Sequence, residues 1–301
     1  MRTALGATLL LVAAVLTAPT TAGAVDTAET TGLLTLGTHG WQVQSSAVAT
    51  QPAERISSPS FDTRGWLPVR PDDAGAPGTE INALLQNGAC PDVFHSDNMR
   101  RCFGYTDKLG PVTIPRFAVP WWFRTDFTLT ANRTARLVVP GVVGEGDVWV
   151  NGTLVAGRDI VSGAFAGHTF DVTSLVHRGR NSLAIKMYPN DPTTMYTVDQ
   201  VDWSQIPPDN DTGIQYPIQL RLSDALAGSN AHVVQQNAAD LSSSKLTAKL
   251  DVTNTSDHAQ AGDVSAEIVP PGGGDPVVVR QTVSVAASST KTVSFAPVTI
   301  A

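Results

Sequence analysis

Asp202-Trp203, followed by Pro207-Pro-Asp209, places two acids and an indole in one loop-like stretch. An aromatic face packs against the C–H bonds of a sugar while carboxylates accept from its hydroxyls, so Asp202, Trp203 and Asp209 are candidate carbohydrate-binding residues. The other reading is a Trp that anchors a Pro-rich loop, with acids capping its turns. Other chemistry is thinner. His39, His95, His168, His177, His232 and His258 are dispersed, with no pair at metal-ligand spacing. Loop acids show no D-x-D-x-D-G run, so no metal site and no cofactor is assigned.

Cys90 and Cys102 are the only cysteines. Their expected state depends on the compartment. Arg2, the apolar run Ala4 to Leu16 and Ala22-Gly23-Ala24 form the pattern of a secretory signal peptide over residues 1–24, too short for a bilayer-spanning helix. The mature chain is therefore expected to be secreted, where Cys90 and Cys102 are read as a disulfide. A metal pair with His95 is the alternative. The net charge of −7 becomes −8 once Arg2 is lost with the leader, and no basic cluster is present. That balance argues against nucleic acid or an anionic membrane as partner.

The elements that must hold these residues are strands. Phe123, Phe127 and Leu129 alternate with Arg124, Asp126 and Thr128, and Ile218, Leu220 and Leu222 alternate with Gln219 and Arg221. Asn151-Gly152 between apolar runs predicts a hairpin in which Val150 faces Thr153, Trp149 faces Leu154 and Val148 faces Val155, with both faces buried. Residues 57–116 read as a long irregular segment around short pieces such as Glu80 to Leu85, pinned by the cysteines. Adjacent Trp121 and Trp122 point to opposite faces of a strand, so they cannot form one stacking platform. A small, polar stretch around Ser223 to Asn230 reads as a linker. Further strand candidates follow, up to Thr292 to Phe295, with Pro270 to Pro276 as a turn. The expected domains are a sandwich over residues 25–225 and a smaller one over 226–301, the latter incomplete because no closing strand follows.

Trp121-Trp-Phe-Arg-Thr-Asp-Phe127, Val139-Pro-Gly-Val142, Val148-Trp-Val-Asn-Gly152, Phe170-Asp-Val-Thr173 and Gly179-Arg-Asn-Ser-Leu183, in this order, resemble the N-terminal sugar-binding domain of glycoside hydrolase family 2. Asp202-Trp203, Pro207-Pro-Asp209, Gly213, Trp41 to Ser46 and Asn87 to Asn98 look like its branch of exo-β-D-glucosaminidases and related β-mannosidases. The resemblance covers residues 37 to 300 and implies an all-β chain: a galactose-binding-like jelly-roll sandwich followed by a truncated immunoglobulin-like sandwich. It implies a β-linked glucosamine or mannose oligosaccharide as partner, and a C-terminal catalytic barrel, not contained in these residues, as the intramolecular partner. The family's retaining mechanism needs two carboxyls roughly 5 Å apart. Those glutamates lie in the barrel, so Glu29, Glu54, Glu80, Glu145 and Glu267 inherit no catalytic role, and the chain alone is expected to be inactive. A free-standing carbohydrate-binding module and a structural adhesion fragment remain as other classes.

Overall fold

The computed structural model describes residues 14–17, 32–106, 108–195, 206–269 and 275–300. The strands, in chain order, are β1 (Ala14–Thr17), β2 (Leu33–Thr35), β3 (Trp41–Ser45), β4 (Leu67–Val69), β5 (Gly78–Thr79), β6 (Trp121–Leu129), β7 (Thr134–Val139), β8 (Glu145–Val150), β9 (Thr153–Ala156) and β10 (His168–Asp171). They continue with β11 (Gly179–Tyr188), β12 (Gly213–Ile214), β13 (Gln219–Ser223), β14 (Leu226–Asn237), β15 (Ser244–Asn254), β16 (Gln260–Ile268), β17 (Val277–Val285), β18 (Thr290–Ser294) and β19 (Val298–Ile300). Among the described residues, three short helices interrupt them: α1 (Ala53–Ile56), α2 (Glu80–Gln86) and α3 (Asn98–Phe103). The chain divides into two units, one over residues 26–222 and one over 223–301 joined by β1.

The larger unit is a sandwich. A six-stranded antiparallel sheet, β4-β3-β6-β11-β8-β9, and a four-stranded sheet, β10-β7-β13-β2, share one core. Period-two alternation explains it: Phe123, Phe127 and Leu129 on β6, and Leu183, Ile185 and Met187 on β11, meet Leu137 and Val139 of β7 and Leu220 and Leu222 of β13. Trp121 joins this core, whereas Trp122 is buried on the other face with Ala49, Ile56 and Ala184. Arg124 lies on the same face as Trp122, only 1% exposed. Its Nε donates to the Ile56 carbonyl at 3.0 Å and its Nη2 to the Ser58 carbonyl at 2.8 Å, and it pairs with Asp126 at 2.9 Å. The guanidinium thus staples the α1 segment onto the sheet.

The hairpin forms with Asn151 at φ 49° and Gly152 at φ 87°, as a two-residue turn of this kind requires. Val150 pairs Thr153 and Trp149 pairs Leu154 as expected, but a register shift puts Ala156, not Val155, opposite Val148. Such a bulge leaves Val155 unpaired. The two faces also differ. Val148 and Val150 are in the core, while Leu154 is 47% exposed beside a partly buried Trp149. The side-chain amide of Asn151 donates to Leu175 O and Asn181 Oδ1, each at 2.7 Å, and its Oδ1 accepts from Ser182 N at 2.8 Å, which fixes the turn.

The stretch over residues 57–116 is more regular than its composition suggests. Ile81, Val93, Phe103 and Phe117 form a satellite core with Cys90 and Cys102, which are bonded across a Cα–Cα distance of 5.8 Å.

In the smaller unit, β14, β15 and β18 form one sheet, with β19 also on β15, and β1, β16 and β17 form another. Ala248, Leu250 and Val252 of β15, with Val293 and Phe295 beside them, face Val264, Ala266, Val283 and Val285 of the other sheet. Two expectations change here. The stretch read as a linker is mostly strand: β14 begins at Leu226 and runs beside β15, leaving Asp224 and Ala225 between strands. Small polar residues suit it because most of β14 is exposed or half-exposed, and its ladder with β15 supplies the stability. Thr290–Ser294 is also followed by a further strand, β19, which pairs Ser244 to Leu246. The turn expected at Pro270 to Pro276 lies mostly outside the described residues. No helix among the described residues is long and apolar enough to cross a membrane.

Candidate functional site

Asp202 and Trp203 lie outside the described residues. The chain on their C-terminal side is well fixed, and Asp209 is the reason. Its carboxylate points inward and the residue is 1% exposed. Oδ2 accepts from the Ile81 amide at 2.9 Å, Oδ1 from the Asp211 amide at 3.1 Å, and the Asp209 carbonyl accepts from Thr212 Oγ1 at 2.6 Å. Asp209 therefore caps the start of α2 from 128 residues away, alongside Thr79, whose Oγ1 accepts from Asn82 N at 3.2 Å. In this position it is a residue that holds a loop.

The turn it begins ties together three further segments. Asn210 and Asp211 both take positive φ, 50° and 58°, where Asn and Asp are tolerated best. The side-chain amide of Asn210 donates to Asn190 O at 3.0 Å and to Gly110 O, next to the disulfide-bearing segment, at 2.8 Å. Asn190 answers with its own amide to Asn210 O at 2.9 Å, and its backbone N–H reaches Thr212 Oγ1 at 2.9 Å. At Gly213, which pairs with Thr79 in the β5–β12 ladder, a Cβ would overlap Gly78 O and sit 2.6 Å from Thr79 Cα. Glycine is what lets these strands approach.

Burial pushes the Asp209 carboxyl up to about 7, with the Asp211 charge adding to it and the Ile81 and Asp211 amides opposing it. Glu80, the first residue of α2, is fully buried, and neither carboxyl oxygen has a hydrogen-bond partner. Burial, and then the Asp209 charge, raise it well above the usual carboxylate range. Nothing in the sequence marks Glu80, since an acid in the first turn of a helix is ordinarily solvated and favoured by the dipole.

A second polar group lies on β8 and β11. Tyr188 donates its hydroxyl to Asp147 Oδ2 at 2.8 Å, and burial together with Asp147 pushes that hydroxyl up to about 12. Arg158 and Lys186 lie over its ring at 4.6 and 5.4 Å, so the ring faces cations and offers no free stacking surface. Among the described residues, no group of three or more His, Cys, Asp or Glu gathers as a metal site.

The profile of the family described as glycosyl hydrolase 2 galactose-binding domain-like matches residues 41–221. The chain belongs to this family. Among its glycosyl hydrolase 2 relatives is an exo-β-D-glucosaminidase of Amycolatopsis orientalis, 39% identical over 97% of this chain and 27% of that protein. Another, from Streptomyces avermitilis, is 37% identical over 93% of this chain and 28% of its own length. The crystal structure of the Amycolatopsis orientalis exo-chitosanase superposes with a TM-score of 0.74 at 38% identity, covering 89% of this chain and 29% of that one. The chain spans about a quarter of the length of these curated relatives and corresponds to an N-terminal part of them. A β-D-mannosidase structure from Dictyoglomus thermophilum, at TM-score 0.60 and 16% identity, shares the fold.

Proposed function

We propose that this chain is the non-catalytic N-terminal region of a secreted family 2 glycoside hydrolase that acts on β-linked amino sugars, as in chitosan oligosaccharides. The observation that carries this reading is the 39% identity to an exo-β-D-glucosaminidase across 97% of the chain. Residues 1–24 act as the export leader. Asp202 and Trp203 contact the sugar, and Asp209, turned inward, holds the end of their loop against α2. The barrel that completes the enzyme supplies the two carboxyls that retaining hydrolysis needs. β-Mannosides are the second reading, supported by a Lilium longiflorum mannosylglycoprotein endo-β-mannosidase that is 26% identical over 58% of the chain.

The test is a chimera in which residues 25–301 replace the corresponding part of the Amycolatopsis orientalis enzyme. It is expected to release glucosamine from chitosan oligosaccharides, and Trp203→Ala in the same chimera is expected to raise KM with kcat little changed. A folded chimera that turned over β-mannosides in preference to glucosaminides would overturn the amino-sugar assignment.

A further inference from the structure

The anchor of the candidate loop contains two acids and no base. Glu80 is fully buried at the start of α2 with both carboxyl oxygens unpartnered, and Asp209 is buried against the next residue, its Oδ2 taken by the Ile81 amide. The charges acting on the pair are negative: Asp209 on Glu80, and Asp211 on Asp209. Water, a cation or a proton could relieve such a site in principle. An isolated buried carboxylate is costly enough that it neutralises instead, and two carboxyls in one low-dielectric site cannot both ionise. The unequal surroundings assign the proton. Asp209 is stabilised as an anion by two backbone amides, whereas Glu80 has no donor at all.

We propose that Glu80 and Asp209 form a proton-held latch: while Glu80 keeps its proton, the turn from Asp209 to Gly213 stays locked against the start of α2, and loss of that proton loosens the turn. Both residues act by positioning. The latch bears on Asp202 and Trp203 only through the function proposed above, on which that part rests.

The sign of the pH dependence follows. Both folded-state values are raised, Asp209 to about 7 and Glu80 well above the carboxylate range. The folded chain therefore holds protons that the unfolded chain gives up above about pH 4. The contribution to stability is complete below that pH and is lost as pH rises through 7 and beyond. Acid pH tightens the loop anchor, and alkaline pH loosens it.

Thermal unfolding of the whole chain between pH 4.5 and 8.5, beside Glu80→Gln and Glu80→Leu, tests this without any sugar, so its outcome is separate from that of the chimera. Wild type and Glu80→Gln are expected to melt together at pH 4.5. At pH 8 the wild type is expected to melt about 5 °C or more below Glu80→Gln. Parallel profiles overturn the latch. So does a wild-type melting point at pH 8 that falls on adding EDTA while that of Glu80→Gln does not, because a cation would then be neutralising the pair. Should neither variant fold, the infrared carbonyl band of a protonated carboxyl at pH 6 in Asp209→Asn, where Glu80 is the remaining acid of the pair, decides: its presence sustains the latch and its absence overturns it.

Discussion

The larger unit packs Trp41, Trp121, Phe123 and Phe127 between sheets of six and four strands, while the smaller closes on Phe295 and aliphatic side chains, with β1 pairing at the β16 edge of a sheet that, among the described residues, otherwise consists of β16 and β17. Polar ties differ as sharply. In the larger unit, Arg124, Asn151, Asn181, Asn190, Asp209 and Asn210 bond across long sequence separations, and a disulfide closes the satellite core. In the smaller, Asn254 is the buried counterpart, its amide reaching the carbonyls of His258 and Val285 at 2.8 and 3.1 Å. Loops are held where side chains replace the ladder. Where strands are joined by short turns, the ladder suffices, and the weak point moves to the sheet edge.

Calorimetry with two resolved transitions would sharpen this contrast. Arg124→Met should have the largest effect, since it leaves the Ile56 and Ser58 carbonyls and half of the Asp126 pairing unanswered. A loss of about 3 kcal/mol is expected, confined to the transition of the larger unit. An unchanged melting point would mean that α1 is held by packing alone. Next, Cys90→Ser should cost about 3 kcal/mol, because the bond closes a loop with a sequence separation of 12. Mass spectrometry of the unreduced chain should show two hydrogens fewer than after reduction, and equal masses would remove the basis for that loss.

The smallest expected effect falls on the other unit. β1 belongs to the uncleaved chain, so removing residues 1–24, by the leader cleavage proposed above or by deletion, removes the pairing of Ala14 to Thr17 on Ala266 to Asp263. The second transition should drop by about 1–2 kcal/mol, a few net backbone hydrogen bonds. Light scattering should then show association through the vacated β16 edge, absent from a chain ending at Asp224. If residues 223–301 remained monomeric and as protease-resistant as the larger unit after the deletion, the edge is not a liability and the contrast fails.

Much of the scaffold was legible because alternation in β6 and β13 reports directly which side chains face a core. The Asn151-Gly152 turn was legible for the same reason, while the bulge that moved Val148 from Val155 to Ala156 was not, since an extra residue leaves no mark in the pattern. His232 to Gln235 was read as strand, but the start of β14 was missed because an exposed run of small polar residues carries no period. The site was less readable still. Asp209 reads as a surface acid in a Pro-rich turn, and its inward role becomes visible only when a helix 128 residues earlier in the chain presents an amide to it. Glu80 has no signal of its own, because what distinguishes it is the absence of a partner.

The run from Trp121 to Thr125 is buried throughout, with one tryptophan on each face and Arg124 spent on two carbonyls of a neighbouring segment. A signature of that kind has no side chain left for a ligand. It behaves as a chassis, on which the loops can be exchanged without disturbing the signature itself. Kinship would then be written in one part of such a chain and specificity in another, and the two could change at different rates.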